Sequence, residues 1–356
     1  MSHLFSPLTV GRRTIKNRAW VSPMCQYSAH DGVVGDWHRV HLGAFATGGA
    51  GLIMAEATAI DPAGRISVYC PGLWNDAQTA AWRTVTDFAH EHGAMIGIQL
   101  AHAGRKGSTL APWDDHVHAH PDEGGWQTVA PSALAFAGYP EPRALSVAEI
   151  EHLVDAFADG ATRAMDARFD LVEIHAAHGY LLHQFLSPLS NHRDDQYGGS
   201  FENRIRFLLD VVDAVRARIA DAPLFVRLSA TDWAEGGWDI VQSVALATIL
   251  KDHGVDLVDA SSGGNVDGVH IPVAPGYQVP FAEAIRREAG IATSAVGLIT
   301  EPAQAEAIIA EGRADAVMLA RANLRNPRWA LNAAESFGEV IEWPHQFDRA
   351  RTVRHG

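Results

Sequence analysis

Eight short apolar runs recur down this 356-residue chain, each followed by a longer stretch with helical spacing. They read "RAWVSPM", "GLIMAEA", "AMIGIQLA", "DLVEIH", "LFVRLS", "VDLVDAS", "IATSAVG" and "ADAVMLA". Such runs, apolar almost throughout, are the pattern of parallel strands buried on both faces. Start signals precede several of the helical stretches. Asn75-Asp76 precedes the second, Ser146 with Glu149 makes a capping box, and Glu301-Pro302 opens the seventh. Gly93, Gly254 and Gly312 follow helical stretches, where the chain turns left-handed. Eight β-α units in this length predict a closed (β/α)8 barrel of the TIM type. A doubly wound open sheet has the same alternation. It would need a glycine fingerprint between a strand and its helix, and the nearest cluster, "TGGAG" at 47–51, leads into a strand. One domain is expected over 1–356, with a long Pro-, His- and Asp-rich loop at about 102–146 and a tail from about 340.

The formal net charge is −14 with no block of like charge, which disfavours nucleic acid or an anionic membrane as partner. No apolar run is long enough to span a bilayer. Two cysteines, Cys25 and Cys70, make no disulfide framework, and a cytoplasmic location is expected.

In a barrel the chemistry gathers at the C-terminal strand ends. These carry Met24, Cys25 and Tyr27 after strand one, Glu56 and Ala57 after two, and Gln99 and His102 on three. His175, His178 and Tyr180 follow strand four, Arg227 lies on five, Gly297 follows seven, and Ala320-Arg321 closes eight. The histidine pair has three readings: metal ligands, neutral donors to a substrate oxygen, or a strand cap. The scarcity of acids at the strand ends, chiefly Glu56 and Asp259, weighs against a metal, and none is expected. Arg227, charged within a buried strand, needs either a barrel carboxylate or a negatively charged cofactor. Gln99 offers a donor and an acceptor side by side for the edge of a heterocycle. Gly297 and Arg321 stand where barrels often bind phosphate.

This set describes a flavin mononucleotide laid across the barrel mouth. The chain resembles the old yellow enzyme family of FMN-dependent ene-reductases along nearly its whole length. The resemblance is carried by "LFSPLTVGRRTIKNRAWVSPMCQYSAHDG", "EATAIDPAGRI", "IQLAHAGRKGS", "EIHAAHGYLLHQFLSPLSNHRDDQYGGSFENRIRF" and "LARANLRNP". "PMCQY" is similar to the bacterial branch of xenobiotic reductases and thermostable-type enzymes. The resemblance implies that Ser22, Pro23, Met24, Cys25, Ala57, Gln99, Arg227, Gly297, Ala320 and Arg321 hold FMN. It implies that His175 and His178 grip the substrate carbonyl, that Tyr180 donates the proton, that Tyr27 adds a contact, and that Cys25 tunes the flavin. NADPH or NADH would reduce the flavin, and an α,β-unsaturated carbonyl would then take its place in a ping-pong cycle.

The tail segment "QFDR" is similar to one that carries an arginine into a neighbouring subunit. Arg349 is its counterpart, with Phe347 beside it, and a homodimer or larger assembly is expected. Two positions depart from the family pattern. Ala320 stands where a glycine is usual, which would tighten the phosphate loop. Val296 stands where close xenobiotic reductases carry Trp, which would open the pocket floor. An α-hydroxy-acid oxidase on the same barrel is the rival enzyme, though it needs a single basic histidine. A flavin-storage protein is the rival outside catalysis.

Overall fold

The computed structural model describes residues 2–351. Its centre is a closed barrel of eight parallel strands taken in sequence order. We number them β1 (Ala19–Val21), β2 (Leu52–Ala59), β3 (Met95–Ala101), β4 (Leu171–Ala176), β5 (Leu224–Ser229), β6 (Leu257–Ser261), β7 (Ala292–Ala295) and β8 (Ala316–Leu319). The ring closes where β8 pairs with β1, Val317 opposite Ala19 and Leu319 opposite Val21. Strand β1 is shorter than its apolar run. Ser22 N–H still donates to Leu319 O (3.0 Å), but Pro23 has no N–H to continue the ladder.

The helices are α1 (Asp36–Ala46), α2 (Asp76–Glu91), α3 (Val147–Asp166), α4 (Leu181–Leu186), α5 (Phe201–Arg216), α6 (Ile240–Asp252), α7 (Val279–Ala289), α8 (Pro302–Ala310), α9 (Arg321–Arg325) and α10 (Trp329–Ser336). Asn75 caps α2 by accepting from Gln78 N–H, and Ser146 forms its box with Glu149 at the start of α3. Gly93, Gly254 and Gly312 take positive φ, as their positions require. Among the described residues no helix is long and apolar enough to cross a membrane.

Two layers fill the barrel. The lower one is apolar: Trp20, Leu52, Met54, Leu171, Phe225, Leu257 and Met318 pack together, with the Trp20 and Phe225 rings stacked at 5.9 Å. A hairpin of Leu8–Val10 with Arg13–Ile15 adds Val10 and Ile15 and plugs the N-terminal mouth. Each large side chain buried there contributes about 1.5–3 kcal/mol. Above this floor the inward positions of β3 to β6 turn polar, and that change of chemistry marks the functional end.

Candidate active site

The polar layer is a ring of neighbours set by strand register. Gln99 lies opposite Glu173, and Asp259 opposite Arg227. Gln99 Nε2 donates to Glu173 Oε1 at 2.7 Å. Arg227 Nε lies 3.0 Å from Asp259 Oδ2, both residues being buried, and Ser294 Oγ donates to the other oxygen of Asp259. Burial pushes Glu173 up to about 8, with the neighbouring Asp259 adding to the shift. The strand ends are therefore less acid-poor than their sequence implied. Glu173, a charged residue inside "DLVEIH", is the acid that the sequence reading passed over. Arg227 meets the first of its two alternatives. It pairs with a barrel carboxylate through Nε, while its two terminal nitrogens have no hydrogen-bond partner among the described residues.

A bulge brings Ala57 to this layer. The β2–β3 register shifts between Ala55 and Ala57, so Ala57 lies opposite Gln99. The extra residue, Glu56, accepts from Gln26 N–H at 2.9 Å and lies 3.4 Å from His38 Nε2. That contact folds the segment 22–27 across the barrel mouth. Cys25 packs beside Cys70; the neighbouring thiol and burial push the Cys25 thiol up, and Cys25 in turn pushes the Cys70 thiol down. Tyr27, Cys25 and Tyr180 pack against one small apolar cluster of Ala57, Ile66, Cys70, Ala101 and Ala103.

The end of β4 brings the three aromatic donors together. The His175 and His178 rings meet edge-on at 5.1 Å, and His175 meets Tyr180 at 5.1 Å. His175 Nδ1 accepts from Ala177 N–H (3.2 Å), so the neutral ring carries its proton on Nε2. Burial, followed by the charge of Arg227, holds both imidazoles well below their ordinary range, so both are neutral. Burial pushes the Tyr180 phenol well up, so it stays protonated.

The loop that shapes these donors is tightly specified. His178 adopts φ +59°, and its N–H donates to Ser229 Oγ at 2.9 Å. Next to it, Gly179 has φ +73°, and a Cβ there would stand 2.1 Å from Gly264 O. Only glycine lets the loops after β4 and β6 approach so closely. Tyr180 caps α4, and α4 is pinned by His183, buried and 2.9 Å from the buried Asp232. Lys106 was not singled out from sequence. Its Nζ donates to His178 O (2.9 Å) and Gly264 O (2.8 Å) and lies 5.4 Å from the centre of the Tyr180 ring. Burial, with Arg105 adding, lowers its pKa to about 8.

On the far side of the mouth, Gly297, Ala320, Arg321 and Arg325 line a cavity of about 170 Å³. The first-turn N–H groups of α9 have no partner within the helix, and Gly297 has φ +116°, where a Cβ would crowd Gln278. Val296 lines this same cavity and packs on the lower apolar layer. It therefore lies on the Arg321 side of the mouth. The residues fit a flavin mononucleotide: unpartnered guanidinium nitrogens and the Gln99 amide at one end, an amide-lined cavity with two arginines at the other.

The chain matches the NADH:flavin oxidoreductase / NADH oxidase family over residues 3–338. The chain belongs to that family. An NADPH dehydrogenase of Geobacillus thermodenitrificans is 51% identical over 349 residues, covering 97% of this chain and 98% of that one. Morphinone reductase in complex with tetrahydroNAD superposes with a TM-score of 0.79 at 33% identity, covering 97% and 93%. The old yellow enzyme homologue of Zymomonas mobilis gives 0.77 at 31%, covering 96% and 94%. The resemblance read from the motifs holds, and the chain is an FMN-dependent NAD(P)H oxidoreductase of the old yellow enzyme type.

Arg349 does not line the cavity at this mouth. It is exposed in a turn of the tail (His345–Ala350), while Phe347 lies 4.2 Å beneath the guanidinium of Arg328.

Proposed function

We propose that this chain reduces the activated C=C bond of α,β-unsaturated carbonyl compounds, using NADPH or NADH in a ping-pong cycle. The observation that carries the reading is the meeting of two neutral imidazoles and a protonated phenol above the Gln99–Arg227 layer. Ser22 to Cys25, Ala57, Gln99 and Arg227 would hold the flavin ring, and Gly297, Ala320 and Arg321 its phosphate. Bound there, FMN supplies hydride transfer from the nicotinamide to the β-carbon of the enone.

The protein's own part is electrostatic and acid catalysis. His175 Nε2–H donates to the carbonyl oxygen. His178 Nε2 lies 2.7 Å from Ser261 Oγ, and in the tautomer in which it accepts from that hydroxyl the Nδ1–H of His178 is the second donor. Donors aimed at a developing oxyanion are worth about 3–4 kcal/mol each. Tyr180 then delivers a proton to the α-carbon. Tyr27 closes the pocket wall beside Cys25. Arg349, exposed on the tail, would complete a neighbouring subunit's site in a homodimer or larger assembly.

The test is anaerobic titration. NADPH should bleach the yellow protein, and cyclohexenone should restore its colour. Bleaching that only oxygen reverses would refute the enone reading, and recolouring by an α-keto acid would favour the hydroxy-acid oxidase.

A further inference from the structure

We propose that His116, His120 and Glu123 form a binding site for one divalent transition-metal ion on the loop that overhangs the active-site mouth. One ligand atom from each of the three lies within 4.8 Å of the other two. His116 Nε2 and Glu123 Oε2 already stand 3.0 Å apart, and the His116 and His120 rings are 5.2 Å apart. Ligands of a zinc-sized ion, each at about 2.0–2.1 Å from it, lie roughly 3.4 Å from one another. Rotation of the exposed His120 ring closes the remaining gap, and the ion takes the place of the proton between His116 and Glu123.

The carboxylate is held for this role. His120 N–H donates to Glu123 Oε2 at 2.8 Å within the turn Pro121–Glu123. Two imidazoles and one carboxylate select Zn2+, Ni2+ or Cu2+ over Mg2+ or Ca2+, and water would complete the coordination. His118 is engaged elsewhere: its Nε2 lies 2.6 Å from Gly138 O, and its ring packs on Tyr139.

The position gives the ion a consequence. Leu110 N–H donates to Val117 O and Ala119 N–H to Ser108 O, closing a loop that carries Trp113. Trp113 meets the Tyr27 ring edge-on at 5.7 Å, and Tyr27 packs against the cluster that also contacts Cys25 and Tyr180. An ion bridging 116, 120 and 123 fixes the base of the Trp113 loop and therefore the wall of the pocket.

The test is equilibrium dialysis of tag-free, FMN-loaded protein against Zn2+, with Cu2+ paramagnetic resonance to count nitrogen ligands. One saturable ion per chain is expected, with two nitrogen ligands. His116→Ala and Glu123→Gln should each weaken it by about tenfold or more, while His118→Ala leaves it unchanged. No saturable binding, or binding that neither variant weakens, would overturn the site. Saturating Zn2+ should also change the KM for cyclohexenone in the native chain and not in His116→Ala. An unchanged KM in the native chain would overturn the coupling to the pocket wall. The dialysis does not depend on the enone reading, so failure of one is distinguishable from failure of the other.

Discussion

Lys106 Nζ donates to the backbone carbonyl of His178 across 2.9 Å, joining the loop after β3 to the donor loop after β4. The ammonium stands within the same enclosure as the Tyr180 ring, and its pKa of about 8 places its titration inside the working range. Below pH 8 its charge favours the negative charge that develops on the substrate oxygen. Above pH 8 that help is lost. The enone half-reaction should therefore slow as pH rises through about 8, and Lys106→Met should be slow at all pH and lack this limb. Stopped-flow oxidation of the reduced protein from pH 6 to 9.5 measures it; a limb that survives in the variant assigns it elsewhere.

Tyr180 has its phenol driven upward by burial, so no limb should come from its ionisation. Tyr180→Phe removes the proton donor while leaving the Gln99–Arg227 layer intact. FMN content and reduction by NADPH should stay near native values, and reoxidation by cyclohexenone should slow by about a hundredfold or more. Equal slowing of both half-reactions would instead mean that the ring shapes the mouth as a whole.

Glu173 offers a stability measurement. Its folded pKa of about 8 lies above its unfolded value, so the folded chain holds the extra proton between pH 4.5 and 8. Stability from this group is complete at the acid end of that window and is lost as pH rises through 8. Glu173→Gln, which keeps the size and the amide-reading contact with Gln99, should match the native melting temperature near pH 5. It should exceed it by several degrees near pH 8.5, since 1 kcal/mol moves Tm by about 2–4 °C in larger chains. Melting curves of flavin-free protein at the two pH values decide it. A constant offset would show that the carboxylate stays charged throughout.

The barrel was legible because buried parallel strands must be apolar on both faces, and each of the eight runs became one. Arg227 was legible for the converse reason, as a charge breaking "LFVRLS". Glu173 breaks "DLVEIH" in the same way and could have been read by the same rule. Lys106 could not: its contacts with His178 and Gly264 join positions 72 and 158 residues away, and nothing local marks it. The Cys25–Cys70 pair was equally hidden, since two thiols 45 positions apart meet only once segment 22–27 folds over β2.

Cys25 packs against Cys70 and Ala57, where the flavin ring is proposed to lie. A polarisable sulfur there should set the flavin's potential rather than attack substrate. Cys25→Ala should shift the midpoint potential and change the ratio of the two half-reaction rates while turnover persists. Cys70→Ala should shift the potential in the same sense by less, because it removes only the sulfur packed behind Cys25. Spectroelectrochemical titration of both variants checks this. An inactive Cys25→Ala that still holds FMN would point to covalent chemistry.

The tail supplies the last expectation. Arg328 over Phe347 pins it to the body of the chain and Arg351 over Trp343 folds it on itself, while Arg349 stays exposed. An arginine held exposed on a docked segment suits a site on a second subunit, which requires a symmetric partner. Truncation before Trp343 should raise KM for enone or nicotinamide severalfold and lower thermal stability only slightly. Arg349→Ala should reproduce the KM change without altering the assembly state. Mixing the Arg349→Ala chain with a Tyr180→Phe chain gives the decisive reading. If the arginine acts in trans, mixed dimers regain one intact site that neither parent possesses. If it acts in cis or not at all, the mixture shows only the average of the two parents. A fully active monomer in sedimentation and kinetics would refute the shared site altogether.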